Sequence, residues 1–206
     1  MILNSSGRVD IAPASGTRIG DPNADYAQFG SDGVLTLEGA AQVYLTSWIP
    51  AQAIRAPGVK PATYVDLGIS GAWEFADGQE ETIVCNIQIP ERTLMTADLY
   101  LWMGWSSPTV SQDCDWEFAY LLRQLGEDTT AAAQQTLQTF AESSSVANGF
   151  VFTIFTIVAA QLDADDKCLH INIMRDGNDA GDTLGAAAHL HGMCLKYKTD
   201  KRGSAI

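Results

Sequence analysis

A chain of 206 residues that is 46% hydrophobic and 18% charged has the material for a folded core, which sets aside a disordered tail. Its net charge of -13 at pH 7 sets aside a protein that holds nucleic acid through a positive, phosphate-tracking face. The only basic cluster, Lys196, Lys198, Lys201 and Arg202, reads as a solvated C-terminal end.

The longest apolar run, from Phe150 to Ala160, is broken by Thr153 and Thr156 and is too short for a bilayer, which needs about 20 residues. Met1-Ile2-Leu3-Asn4-Ser5-Ser6 lacks the basic region and apolar core of a signal peptide, so assembly in the cytoplasm is the expectation. Cys85, Cys114, Cys168 and Cys194 form no CxxC and read as buried free thiols.

In chain order, residues 1–30 show no sustained period and are rich in Gly, Asp, Pro, Ala and Ser. They read as an extended N-terminal arm that orders against a neighbouring subunit. Gly33 to Gly39 alternates between glycines, a strand pattern, and Gln42 to Trp48 continues as a second strand. Three prolines make Ile49 to Pro61 a loop. Thr63–Leu67 and Ala72–Phe75 are β-prone, and Asp77-Gly78 is a turn dipeptide of hairpin type. Thr82–Ile89 is a clean strand stopped by Pro90, and Asp98–Trp105 is another, broken by Ser106-Ser107-Pro108. In Asp115–Arg123 the period of two puts Trp116, Phe118, Tyr120 and Leu122 on one face.

Residues 127–149 are ambiguous. Leu137 and Phe140 are too weak a stripe for a confident helix, which favours a long loop with a short strand near Thr136 to Ala141 and leaves a short helix as the alternative. Phe150–Val158 is a β-branched and aromatic strand. Leu169, Ile171 and Ile173 then alternate with His170, Asn172 and Met174, run into Arg175-Asp176, and give way to a turn rich in Gly, Asn and Asp. His189 to Tyr197 is again two-periodic. About nine to eleven strands at regular spacing, with little helix, predict an all-β antiparallel β-sandwich of jelly-roll type. The expected layout is an arm over residues 1–30, one domain over 31–200 and a flexible tail over 201–206.

The chemistry is sparse. There is no GxSxG, and only three histidines exist: His170, His189 and His191. A Cys168–His191 nucleophilic pair is possible by arithmetic, but no spacing selects it. His189 and His191 share a strand face and could ligate a metal with a third residue; edge histidines are the plainer reading. Asp176, Asp179 and Asp182 crowd into one loop and are weak candidates for calcium, although the EF-hand spacing is not met. The plainer reading has these aspartates capping backbone N–H groups and pairing with Arg175. Asp115, Glu117 and Glu74, beside Trp116 and Trp73, could form an acid pair for glycoside cleavage, yet Trp in strands usually packs a core or an interface. The balance is against an enzyme.

Four stretches carry a resemblance. They are Gly33-Val34-Leu35-Thr36-Leu37-Glu38-Gly39-Ala40, Ile87-Gln88-Ile89-Pro90, Asp115-Trp116-Glu117-Phe118-Ala119-Tyr120, and Ile173-Met174-Arg175-Asp176 with Asp179-Ala180-Gly181-Asp182-Thr183 to Leu195-Lys196-Tyr197. With them the chain resembles the jelly-roll virion proteins of tailed bacteriophages. That resemblance implies a non-enzymatic virion part assembled in the bacterial host cytoplasm. It also implies a homotrimer that decorates or cements the capsid by binding between major capsid protein subunits, without cofactor, membrane or nucleic acid. A tail- or fibre-associated module that binds a receptor or carbohydrate is the alternative. The five Trp and six Tyr suit an interface in either case.

Overall fold

The computed structural model describes residues 42–127 and 138–199, together with short strands at 2–3, 9–10, 17–20, 26–29, 35–37 and 201–202. The strands are β1 (Ile2–Leu3), β2 (Val9–Asp10), β3 (Thr17–Gly20), β4 (Tyr26–Phe29), β5 (Leu35–Leu37), β6 (Val43–Pro50), β7 (Thr63–Leu67), β8 (Ser70–Phe75), β9 (Glu80–Gln88), β10 (Leu99–Ser106), β11 (Asp113–Gln124), β12 (Gln138–Ser143), β13 (Val151–Ile157), β14 (Asp166–Asp176), β15 (Ala188–Thr199) and β16 (Lys201–Arg202).

Pairing is nested. β11 pairs with β12, β10 with β13, β9 with β14 and β8 with β15, all antiparallel. This is one long hairpin rolled up on itself, which makes the fold an antiparallel β-sandwich of jelly-roll type. Sheet I has the order β13-β10-β15-β8-β7, with β6 also paired to β15; sheet II has the order β12-β11-β14-β9. Among the described residues β6 to β15 are therefore the ten strands of the sandwich, within the expected number.

The chain divides into two compact units. One comprises residues 46–91 and 95–196 and carries the sandwich. The other comprises residues 1–45, 92–94 and 197–206. In it β1 pairs with β2, and β16-β5-β4-β3 form a small antiparallel sheet. The expected arm (residues 1–30) and tail (201–206) lie largely outside the described residues, and what is described within them is strand.

The sandwich core follows from strand parity. Leu99, Leu101, Met103 and Trp105 of β10 alternate inward and are fully buried. They meet Trp116, Phe118 and Tyr120 of β11 and Leu169, Ile171 and Ile173 of β14, all buried as the alternation predicts. The Phe118 and Phe155 rings stack across the layers at 4.6 Å, and Trp116 stands edge-on to Phe75 and Trp105 at 5.0 and 5.6 Å. Each such aromatic pair adds about 0.5–1.5 kcal/mol beyond its buried area. Trp105 Nε1–H donates to Thr153 Oγ1 at 3.0 Å, which explains a threonine in the apolar run. The edge strands β12 and β13 are tied by one amide. Gln138 Nε2 donates to the Thr156 carbonyl at 2.6 Å, and Gln138 Oε1 accepts the Thr156 N–H at 3.2 Å. That amide satisfies backbone groups an open edge would leave bare.

Two local expectations are corrected and a third is met. Asp77-Gly78 does turn the chain, with Gly78 at φ 66°, but it carries β8 of sheet I over to β9 of sheet II. It is a crossover, because β8 finds its partners in β7 and β15. The loop at Ile49–Pro61 starts later than expected, since β6 runs to Pro50 and a 3-10 turn follows at Ala51–Ala53. A short strand does lie near Thr136–Ala141, at Gln138–Ser143, whereas residues 128–137, where the short helix was the alternative, are outside the described residues.

Candidate functional site: an aromatic sheet face

The outer face of sheet I is the unusual surface of the sandwich. On β10 the outward positions are Tyr100, Trp102 and Gly104; on β13 they are Phe152, Ile154 and Thr156. Register places Trp102 opposite Ile154 and Cys194, and Gly104 opposite Phe152 and Gly192. Solvated sheet faces normally alternate to polar residues here. Instead Phe150, Phe152 and Ile154 are 53%, 41% and 41% exposed, and Trp48 is 51% exposed. Trp102 and Phe152 meet edge to face at 5.6 Å, Phe152 and Phe150 at 5.0 Å, and Phe150 lies 5.5 Å from the His191 ring.

Two paired glycines set how low these rings lie. A Cβ on Gly104 would stand 2.3 Å from Phe150 Cζ, and one on Gly192 would stand 2.6 Å from Trp48 Cζ2 and 2.7 Å from the Ile49 carbonyl oxygen. Gly192 also has φ +154°, a region L side chains rarely enter. Phe150 and Trp48 thus rest against bare backbone at neighbouring positions of β10 and β15, next to the β10 register shift at Gly104/Trp105.

A polar rim borders the strip. Glu74 Oε2 and His189 Nε2 are 3.2 Å apart, Ser106 Oγ and His191 Nε2 are 2.8 Å apart, and Lys196 Nζ sits 5.0 Å from the Trp102 ring centre. Burial, and then neighbouring His189, pull the His191 pKa down, so its ring is neutral at pH 7. His189 and His191 do share a face, as their spacing predicts, but each is engaged with a different partner.

The acidic loop serves another purpose. Arg175 continues the inward series of Leu169, Ile171 and Ile173 and is fully buried. Its Nε and Nη2 donate to the two oxygens of Asp182, each at 2.8 Å. Nη1 donates to the carbonyls of Phe75 and Ala186, and Nη2 also to that of Leu184. All five guanidinium donors are used. Asp182 additionally accepts the N–H groups of Asp115 and Leu184, which fills its acceptor positions. Asp176 and Asp179 each cap a backbone N–H two residues on, those of Asn178 and Gly181. The three calcium candidates are thus split between an arginine clamp and two local turns. Among the described residues no group of three His, Cys, Asp or Glu is arranged to hold a metal ion.

The other sequence candidates separate. Glu74 lies on the outer face of sheet I, whereas Asp115 and Glu117 lie on the outer face of sheet II. Trp116 is in the core, and Trp73 is buried with its Nε1–H donated to the Ala51 carbonyl at 2.9 Å. The acid–aromatic juxtaposition read from the strands is therefore not a cleft. Cys168 is on β14 and His191 on β15, in different sheets, so that pair does not meet. All four cysteines are free; Cys85 and Cys114 are buried, but Cys168 and Cys194 are only half-buried because they take outward positions.

Sequence reasoning missed the aromatic strip. The trace it left was an apolar run on both parities of β13, together with Tyr100 and Trp102 at the outward positions of β10.

No protein-family model matches the chain, and no curated protein matches it. Among solved structures it is similar to the xylan-binding module CBM15, at 14% identity and TM-score 0.45 over 76% of this chain and 97% of that one. It is also similar to a family 29 carbohydrate-binding module from Piromyces equi, at 12% identity and TM-score 0.43 over 75% and 91%. A third neighbour is the mannan-recognising module TmCBM27, at 12% identity and TM-score 0.41 over 76% and 99%. None of these likenesses carries a residue or a ligand over to this chain.

Proposed function

We propose that the chain is a non-catalytic carbohydrate-binding module that takes a glycan across the outer face of sheet I. The observation that carries this reading is the strip of exposed Trp48, Phe150 and Phe152 with half-buried Trp102, in which Phe150 and Trp48 are seated close against Gly104 and Gly192. A sugar ring presents a weakly positive face of C–H bonds, which suits the negative face of an aromatic ring. Its hydroxyls need planar polar partners at the border, and Glu74, His189 and His191 supply them. An exposed apolar patch rimmed by polar groups marks an interaction site rather than spare core.

Capsid decoration, the first function implied by the phage resemblance, has no support among the structures to which the chain is similar. Its homotrimer and its major capsid protein contacts are not carried into this reading. A virion placement remains a proposal, in the form of the tail- or fibre-associated module. Affinity electrophoresis of the intact chain through gels holding xylan, mannan or no polysaccharide tests the function. Retarded migration in at least one polysaccharide gel is expected, and uniform mobility across a broad set of neutral polysaccharides would refute it.

A further inference from the structure

The outer face of sheet II, on the opposite side of the sandwich unit, holds a depression of about 180 Å³. Cross-strand register builds it. Asn86, His170 and Leu121 form one row across β9, β14 and β11, and Asn172 and Ala119 belong to the next row. Ala119 leaves the room, because its neighbours reach past its methyl group. Arg55 closes one side. Its backbone exchanges two hydrogen bonds with Val84, Arg55 N to Val84 O at 3.1 Å and Val84 N to Arg55 O at 2.8 Å, which fixes it against the middle of β9. Among the described residues the side chains of Arg55, Asn86, His170 and Asn172 make no hydrogen bond or ion pair. Arg55, Asn86 and Asn172 are exposed and His170 is half-buried, so their polar groups stand open to solvent and to a ligand.

We propose that this depression is a second binding site, for a single carboxylated sugar residue of the hexuronate class. A guanidinium fork matches a carboxylate in two parallel hydrogen bonds. Two amides and an imidazole offer both donors and acceptors, which adjacent hydroxyls require. Leu121 and Ala119 give the ring an apolar floor. The volume falls below the roughly 300–1,000 Å³ of drug-sized pockets, so the occupant is one ring rather than a chain. Arg55 is the one formal charge among the lining residues. Glu117, two residues from Ala119 on the same face, opposes an anion and weakens its binding. The site is independent of the aromatic strip, which faces outward from the other sheet.

The test is an NMR titration of the full chain with D-glucuronate and, separately, D-glucose, following the side-chain amide signals of Asn86 and Asn172. Glucuronate is expected to shift them saturably, at least about tenfold more tightly than glucose, the discrimination of one charge-assisted hydrogen bond. Arg55→Gln is expected to remove that preference while leaving the fold intact, since the bridge to Val84 uses only backbone. Trp102→Ala is expected to leave the titration unchanged whatever it does to polysaccharide binding. Absence of saturable shifts, equal binding of glucose and glucuronate, or an unaltered titration in Arg55→Gln would each overturn the assignment.

Discussion

Replacing Asp115 with Asn should stabilise the protein, and the gain should depend on pH. The side chain is almost fully buried on β11, and its pKa is raised from 3.8 to about 6. Burial is the first cause; the neighbouring carboxylates of Asp179, Glu117, Asp182 and Asp176 add to it. A carboxyl with a raised folded-state pKa binds its proton more tightly in the folded chain than in the unfolded one. Its ionisation therefore costs nothing below pH of about 4, costs progressively more as pH rises toward 6, and costs about 3 kcal/mol above that. Asn keeps the shape, removes the charge and leaves the Asp115 backbone N–H free to donate to Asp182 as before. Urea unfolding of both proteins at pH 4, 6 and 8 would read the difference. The expected gain is near zero at pH 4 and up to about 3 kcal/mol at pH 8. A gain independent of pH, or a loss at pH 8, would refute the electrostatic account.

Arg175→Met should cost about 3–5 kcal/mol, because it leaves the Asp182 carboxylate and three carbonyls without their donor; denaturant midpoints check this. Phe155→Ala should cost about 3–5 kcal/mol by opening a cavity against Phe118 and Phe140, read as a fall in melting temperature. Gly104→Ala should displace only the far end of the Phe150 ring, so stability is nearly kept while glycan retardation weakens. Gly192→Ala meets the Ile49 carbonyl as well as Trp48, so it should lower stability and change the Trp48 fluorescence together.

The sandwich was legible because strand parity and turn chemistry are local. Leu169, Ile171 and Ile173 announce one inward face, and Trp116, Phe118 and Tyr120 another. The same parity, extended one step, points Arg175 inward, but an arginine there reads as the strand's exposed end until the Asp182 clamp is known. Pairing order is not local, so Asp77-Gly78 reads as a hairpin although β8 and β9 belong to different sheets. The aromatic strip depends on pairing too. Gly104 and Gly192 are 88 positions apart, and only the β10–β15 register sets them side by side beneath Phe150 and Trp48. The acid and Trp residues of β8 and β11 looked like a site because they are adjacent in sequence, and parity sends them to opposite sides of their strands.

The most direct measurement is calorimetric titration of the best-retarding polysaccharide into the intact chain and into Trp102→Ala, each confirmed folded by its melting curve. The proposed function predicts measurable binding by the parent chain and at least about a tenfold loss in the variant, the worth of one stacked ring at a binding centre. Undiminished binding by Trp102→Ala would contradict the claim that the outer face of sheet I is where the glycan sits.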